Sequence, residues 1–316
     1  MPKSKPHLFE SFFARMLPFD HLTILYCWII IILTINFGRP LARYGDILIV
    51  HAAAIVGVIL LVRFISPAAN SLARFLRLLY PVIMMLFFYQ ACAKMVHFLF
   101  PDFFDHQVVA LESILWGGDL SLWLDGRSGV VVTEILSAGY FSYYFLIPAL
   151  AIVLFLHGRT DDIKRFMTAT CLTFFVSYLS FIAYPVEGPR FYFAGQYATD
   201  LVGPIFRPLV TMVIDRGAIH GGAMPSSHVA EALVVLIFAL RAYGRKAFFL
   251  IPVVIALALG TVQGRFHYIT DVVVGAAIGA LAAWAAVSWY PSEKEPASDE
   301  EVWERITGKQ YVSDNP

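Results

Sequence analysis

The sequence predicts an all-helical integral membrane protein, and three observations carry that prediction. Of the 316 residues, 59% are hydrophobic and only 15% charged, against about 25% charged in a soluble globular domain. The mean hydropathy is +0.70, too apolar for a water-soluble core of this size. Third, the apolar residues fall into long continuous runs rather than stripes, as expected of helices surrounded by lipid and by other helices.

A membrane span needs ~20 mostly apolar residues. The runs that approach this are Leu22–Phe37, Ile47–Ile65, Leu76–Phe98, Thr133–Leu156, Phe166–Tyr184, Ser226–Tyr243, Phe248–Val262 and Asp271–Tyr290. The first and seventh are short, and the third carries Gln90, Lys94 and His97. Lys94 and His97 read as interfacial anchors. Met1 to Asp20 mixes charges with aromatics and shows no signal-peptide cleavage pattern. Residues 1–75 therefore read as a cytoplasmic segment followed by two spans.

Two interruptions differ from ordinary connections. Residues 102–132 hold Trp116-Gly117-Gly118-Asp119 and Leu122-Trp123-Leu124-Asp125-Gly126, a mixture suited to the membrane interface. Residues 185–224 carry Gly188-Pro189-Arg190 and Gly221-Gly222, and are long enough to cover a site. After Pro291 the chain is polar and acid-rich, so 291–316 reads as a solvated tail.

Outside the tail, Lys3, Lys5, Arg15, Arg63, Arg74, Arg77, Arg159, Lys164, Arg165, Arg241, Arg245 and Lys246 fall on one side, against Arg39, Arg43, Lys94, Arg127, Arg190, Arg207, Arg216 and Arg265 on the other. The positive-inside bias then sets both termini in the cytoplasm. Residues 185–224, the Pro225–His228 motif and Arg265–Asp271 converge on the outer face, periplasmic, extracellular or lumenal. The formal net charge is zero, which gives no case for a nucleic-acid partner. Cys27, Cys92 and Cys171 are scattered through apolar runs; no spacing suggests a metal or disulfide framework, and no cofactor is implied.

The chemistry centres on Met224-Pro225-Ser226-Ser227-His228 at the mouth of the sixth run. A helix start with serines beside it is a natural anion site. His267 and Asp271 are four residues apart, and share a face if the last helix begins by His267. Asp271 then holds one imidazole nitrogen protonated and frees the other as nucleophile or base. The plainer reading makes His267 an interfacial residue and Asp271 a helix cap. Alone, His228 reads more readily as a satisfied polar residue. Together, two histidines, an aspartate and the arginines Arg190 and Arg265 at membrane depth point to a phosphate-handling site. Glu231, three residues after His228, either faces that site or packs against another helix. Gly275 and Gly279 form a small-xxx-small pattern for close helix packing.

These residues resemble a known family. Pro225-Ser226-Ser227-His228 is similar to the central motif of the type 2 phosphatidic acid phosphatase superfamily, and His267-x-x-x-Asp271 to the end of its third motif. The resemblance covers roughly Leu76 to Tyr290. It implies a six-helix catalytic membrane domain over 76–290, with two additional N-terminal transmembrane helices. Within the superfamily the chain looks closest to the inositol phosphorylceramide synthase-like branch. The segments that suggest this are Arg265–Tyr268, Gly188–Arg190 and Trp116–Asp125 before a Tyr-rich helix.

By the resemblance, His267 is the nucleophile that becomes phosphohistidine, Asp271 orients it, and His228 is the acid for the leaving group. Ser226 and Ser227, with Arg190 and Arg265, contact the phosphate, and no metal is implied. The chain departs from the pattern at Ala183, where the family's first motif has a lysine, and in its order Pro189-Arg190. It departs again at Thr261, where the third motif has an arginine; Arg265 is the arginine on offer instead. The resemblance implies a lipid-phosphate phosphatase acting on a phospholipid or polyprenyl phosphate in the bilayer. The same residues suit a phosphotransferase that passes a phospho-head group to a lipid or sugar acceptor alcohol. A reading from another class is a non-catalytic phospholipid-binding transporter or scaffold.

Overall fold

The computed structural model describes residues 15–65 and 71–290. The first fourteen residues and the acid-rich tail lie outside the described residues. In chain order the long helices are α1 (Pro18–Phe37), α2 (Gly45–Phe64), α3 (Ser71–Cys92), α4 (Asp105–Trp116) and α5 (Val130–Leu156). They continue as α6 (Thr160–Ala183), α7 (Phe206–Gly217), α8 (Ser227–Tyr243), α9 (Leu250–Gln263) and α10 (Ile269–Trp289). Among the described residues the β pairing is a single isolated bridge between Val186 and Gly222.

The protein is a multi-pass bundle of membrane-spanning helices. Among the described residues seven helices are long and apolar enough to cross a bilayer: α1, α2, α3, α5, α6, α8 and α10. The expected seventh run forms α9, whose 14 residues reach about 21 Å at 1.5 Å per residue. That is short of a ~30 Å hydrocarbon core. Helix α6 is the axis, with α1, α3, α8 and α10 packed around it. Its buried positions mix small or polar residues such as Thr170, Thr173 and Ser177 with the large side chains of Phe166, Phe175, Tyr178 and Phe181.

Two of the boundaries that differ from the sequence expectation have an electrostatic reason. Helix α1 starts at Pro18, before the apolar run, and takes Asp20 into the bundle. Asp20 is fully buried, but it meets the Arg77 guanidinium and accepts from the Tyr80 hydroxyl at 2.6 Å. A buried carboxylate is tolerated only when so paired. Helix α3 ends at Cys92, six residues before the expected Phe98. The chain turns out of the helix there, and Lys94 reaches Asp46 at 2.6 Å on the exposed surface. A lysine continued into the span would have to be buried at considerable cost.

The pair α8 and α10 sets the position of the chemistry. A side chain at Gly275 or Gly279 would collide with the carbonyls of Ser226 and Ala230, so the small-xxx-small pattern brings these two backbones together. At the other end of α8, Arg159 donates to the Ala242 carbonyl at 2.5 Å and His157 meets the Tyr243 hydroxyl at 2.9 Å. The cationic α5–α6 junction therefore lies at the far end of α8 from His228. Cys27, Cys92 and Cys171 are free and buried.

Candidate active site

The site forms where the first turns of α8 and α10 meet the loops from 185 to 224. His267 lies two residues before α10, so it does not share a helical face with Asp271. A capping turn brings the pair together instead. Asp271 Oδ2 accepts the Tyr268 N–H at 2.8 Å and lies 3.5 Å from His267 Nδ1. The nearer partner of Nδ1 is the Ala223 carbonyl at 2.8 Å. A carbonyl only accepts, so Nδ1 carries the proton and Nε2 keeps its lone pair. Asp271 is thus both cap and neighbour of the imidazole.

His228 stands across from His267, with ring centroids 5.8 Å apart. Its Nε2 meets the Tyr140 hydroxyl at 3.1 Å, and the Tyr143 ring packs on it at 4.3 Å. Both tyrosines come from α5. Ser226 caps α8: its Oγ accepts from the Val229 N–H at 3.4 Å, while its own N–H donates to the Asp271 carbonyl at 3.0 Å. It is buried and ties α8 to α10. Ser227, the first residue of α8, lines a cavity beside His228.

The two candidate arginines part company. Arg190 lines the small polar pocket that holds His228 and His267. Its guanidinium also pairs with Asp215 at 2.6 Å. Arg265 donates to Asp125 at 3.0 Å and to the Thr199 carbonyl at 2.7 Å, and stacks over Tyr197 at 3.7 Å. It therefore braces the outer loops. The Thr199 hydroxyl and Ala198 N–H, helped by Arg265, hold the Asp125 carboxyl below the usual carboxylate range. Arg265 sits at φ 68°, a left-handed conformation unfavourable for a side-chain-bearing residue. Its backbone carbonyl accepts the Arg190 N–H at 2.8 Å.

Gly188 makes this junction possible. It has φ +92°, and an added Cβ would lie 2.6 Å from the Phe266 carbonyl, next to His267. Gly188→Ala is expected to destabilise the fold by about 1–3 kcal/mol through forced backbone strain. It is also expected to impair the site more than a control substitution at Gly195, whose added Cβ meets nothing. Thermal unfolding of the two variants, alongside activity, checks this.

Two cavities meet at His228. The polar one, about 50 Å³, is lined by Glu187, Arg190, Ala223, Phe266 and both histidines. The other, about 430 Å³, runs among α3, α5, α6 and α7 past Met85, Tyr89, Tyr144, Phe174 and Tyr178 to Ser227 and His228. Its lining is mostly apolar and aromatic, and lipid-facing Leu86 stands at its edge. Helix α7 roofs both. Its start is held by Glu134, which accepts the N–H groups of Ile205, Phe206 and Arg207 at 2.9–3.2 Å.

Several side chains around the two histidines escape sequence reasoning. Tyr140 and Tyr143 sit in a Tyr-rich span, and nothing in the sequence sets them beside His228. Arg207 lies over the Phe266 ring at 5.9 Å. Burial, with Arg265 and Arg190 nearby, lowers its pKa from the usual arginine value. The one sequence signal for it was its location in an outer loop. Glu231 is fully buried on the α6 side, facing Thr170 and Thr173, and does not line the polar pocket. Among the described residues no group of three or more His, Cys, Asp and Glu is placed to hold a metal ion.

Comparison with curated proteins gave no match, and neither did comparison with solved structures. The family model described as the PAP2 superfamily matches residues 106–285, from within α4 to within α10, leaving α1 to α3 ahead of it. That range is more than half of the chain and contains both histidines, Asp271 and Arg190. The chain belongs to the PAP2 superfamily.

Proposed function

We propose that the protein is a membrane lipid-phosphate phosphatase that works through a phosphohistidine on His267, without a metal ion. One observation carries the proposal: the Ala223 carbonyl fixes the proton on His267 Nδ1, which leaves Nε2 as a nucleophile opposite His228. Nε2 attacks phosphorus, and the bond from phosphorus to the lipid oxygen breaks. His228 gives its proton to that oxygen, and the lipid alcohol departs. Water then attacks the phosphohistidine, His228 takes a proton from it, and inorganic phosphate leaves. Asp271 stabilises the imidazolium that develops on His267. Arg190 balances the charge on the equatorial oxygens, and Ser227 lies on the lipid side of His228, in the lining of the apolar cavity. Ser226 caps α8, and Arg265 braces the outer loops.

The two cavities support this assignment. Lipid chains fit the apolar one, which reaches His228 but not His267, so the lipid lies on the side of the acid. The polar pocket is small, about 50 Å³. That suits a terminal phosphate better than a phosphate bearing a bulky head group, and it favours hydrolysis over the transfer expected of an inositol phosphorylceramide synthase-like enzyme. We assign the site to the outer face of the membrane and both termini to the cytoplasm, because the cationic α5–α6 junction lies at the opposite end of α8; this counts α9 as an eighth, short crossing that returns the chain to the start of α10 beside Ser226.

The test is phosphate release by the purified protein from phosphatidic acid and from a polyprenyl pyrophosphate, with and without an acceptor alcohol. Release without acceptor supports hydrolysis. Turnover only with acceptor makes the protein a transferase, and no turnover on any lipid phosphate overturns the enzyme reading. Arg190→Ala is expected to raise KM for the lipid phosphate by about tenfold or more, since a charge-assisted contact contributes roughly 1.5–3 kcal/mol. An unchanged KM would remove Arg190 from the phosphate site.

A further inference from the structure

Helix α4 carries two buried carboxylates that take no part in the proposed phosphoryl chemistry. Asp105 and Glu112 are seven residues apart, two helical turns, and share one edge of α4. The opposite edge exposes Ile114, with Leu111 beside it, as a helix resting in the membrane interface should. Asp105 uses both oxygens. Oδ2 accepts the Glu187 N–H at 2.8 Å, while Oδ1 accepts the Gly188 N–H at 2.9 Å and the Tyr268 hydroxyl at 2.8 Å. Burial and the neighbouring Asp105 push the Tyr268 phenol pKa well up, so it remains a donor. Glu112 uses one oxygen. Its Oε1 accepts the Thr270 N–H at 2.7 Å and the Thr270 hydroxyl at 2.5 Å, capping the first turn of α10 from a different helix.

These bonds bracket the nucleophile. Tyr268 follows His267 directly, Thr270 lies three residues on, and Gly188 packs on the Phe266 carbonyl just before it. We infer that Asp105 and Glu112 are positioning residues for His267, acting through Tyr268, Thr270 and the Gly188–Arg190 turn. They fix the imidazole relative to Arg190 and His228. Small misplacements of a nucleophile are costly, and a segment outside any helix would otherwise be free to shift. The inference rests on His267 being the nucleophile, as proposed above.

The oxygen count separates positioning from mere burial. Gln at 112 retains the single acceptor that Thr270 needs, whereas Asn at 105 turns one accepting oxygen into a donor that faces an N–H or hydroxyl. Glu112→Ala and Asp105→Asn are therefore expected to lower kcat by about tenfold to hundredfold, with KM within about twofold of wild type. Glu112→Gln is expected to restore kcat. The second readout needs no substrate: the rate at which diethyl pyrocarbonate modifies His267, followed by peptide mass spectrometry with His157 as internal reference. That rate is expected to change severalfold in Glu112→Ala and Asp105→Asn and to return in Glu112→Gln. If Asp105→Asn fails to fold, Tyr268→Phe removes one of the same bonds and is expected to shift the labelling in the same direction. Wild-type labelling of His267 in folded Glu112→Ala and Tyr268→Phe would overturn the inference. If no lipid phosphate is turned over by wild-type protein, the proposed function fails while the labelling still decides the role of α4.

Discussion

Replacing His267 with alanine is expected to lower phosphate release from a lipid phosphate by on the order of 10³-fold or more, because the proposed attacking atom itself is removed. Its imidazole is buried, and its one strong bond is to the Ala223 carbonyl, so the scaffold should survive: α8 and α10 are held together by Gly275, Gly279 and Ser226, not by the ring. Size-exclusion behaviour and melting temperature close to wild type would show that the loss is chemical. Asp271→Asn should behave differently. Asp271 Oδ2 also caps the Tyr268 N–H, so this variant is expected to lose both activity and some stability. A His267→Ala protein with activity within tenfold of wild type would place the nucleophile elsewhere.

The second large effect concerns His228. A general acid matters in proportion to how poor the leaving group is. His228→Ala is expected to reduce turnover of an alkyl phosphate by about 10²–10⁴-fold. An aryl phosphate such as p-nitrophenyl phosphate, whose leaving group departs without a proton, should lose only on the order of tenfold in the first chemical step. Single-turnover measurement of nitrophenolate and alcohol release separates the two. Equal losses on both substrates would assign His228 to binding. Tyr140, which meets His228 Nε2, should shift the same ratio more weakly when changed to Phe.

Much of this was legible in the sequence because membrane solvent simplifies the code. Apolar runs mark spans, and Ser226–His228 and His267–Asp271 stand out as polar breaks beside them. The helical register between His267 and Asp271 was not legible. A reading of four residues on one helix face assumed a helix that begins two residues later, and a capping turn replaces it. The limits of α1 and α3 were hidden for a related reason. Asp20 reads as a boundary until Arg77 and Tyr80, more than fifty residues on, are found beside it, and Lys94 reads as part of a span until Asp46 draws it out. Arg265 shows the same blindness to tertiary partners, since no local pattern reveals that Asp125 and Tyr197 occupy its guanidinium. Helices α4 and α7 read in the sequence only as loops at the interface or over a site. Their buried edges are short and mixed, and Asp105 and Glu112 look like ordinary solvated acids until their donors from distant loops are in place.

The account turns on one covalent bond, and its most direct test is to trap it. Wild-type protein would be mixed with a lipid phosphate labelled at the terminal phosphate, quenched in alkali within milliseconds to seconds, and mapped by peptide mass spectrometry. The account predicts an acid-labile, base-stable phosphoryl group on His267, absent from His267→Ala and accumulating when water attack is slowed. Continued turnover with no label on His267, or with the label on another residue, would contradict it.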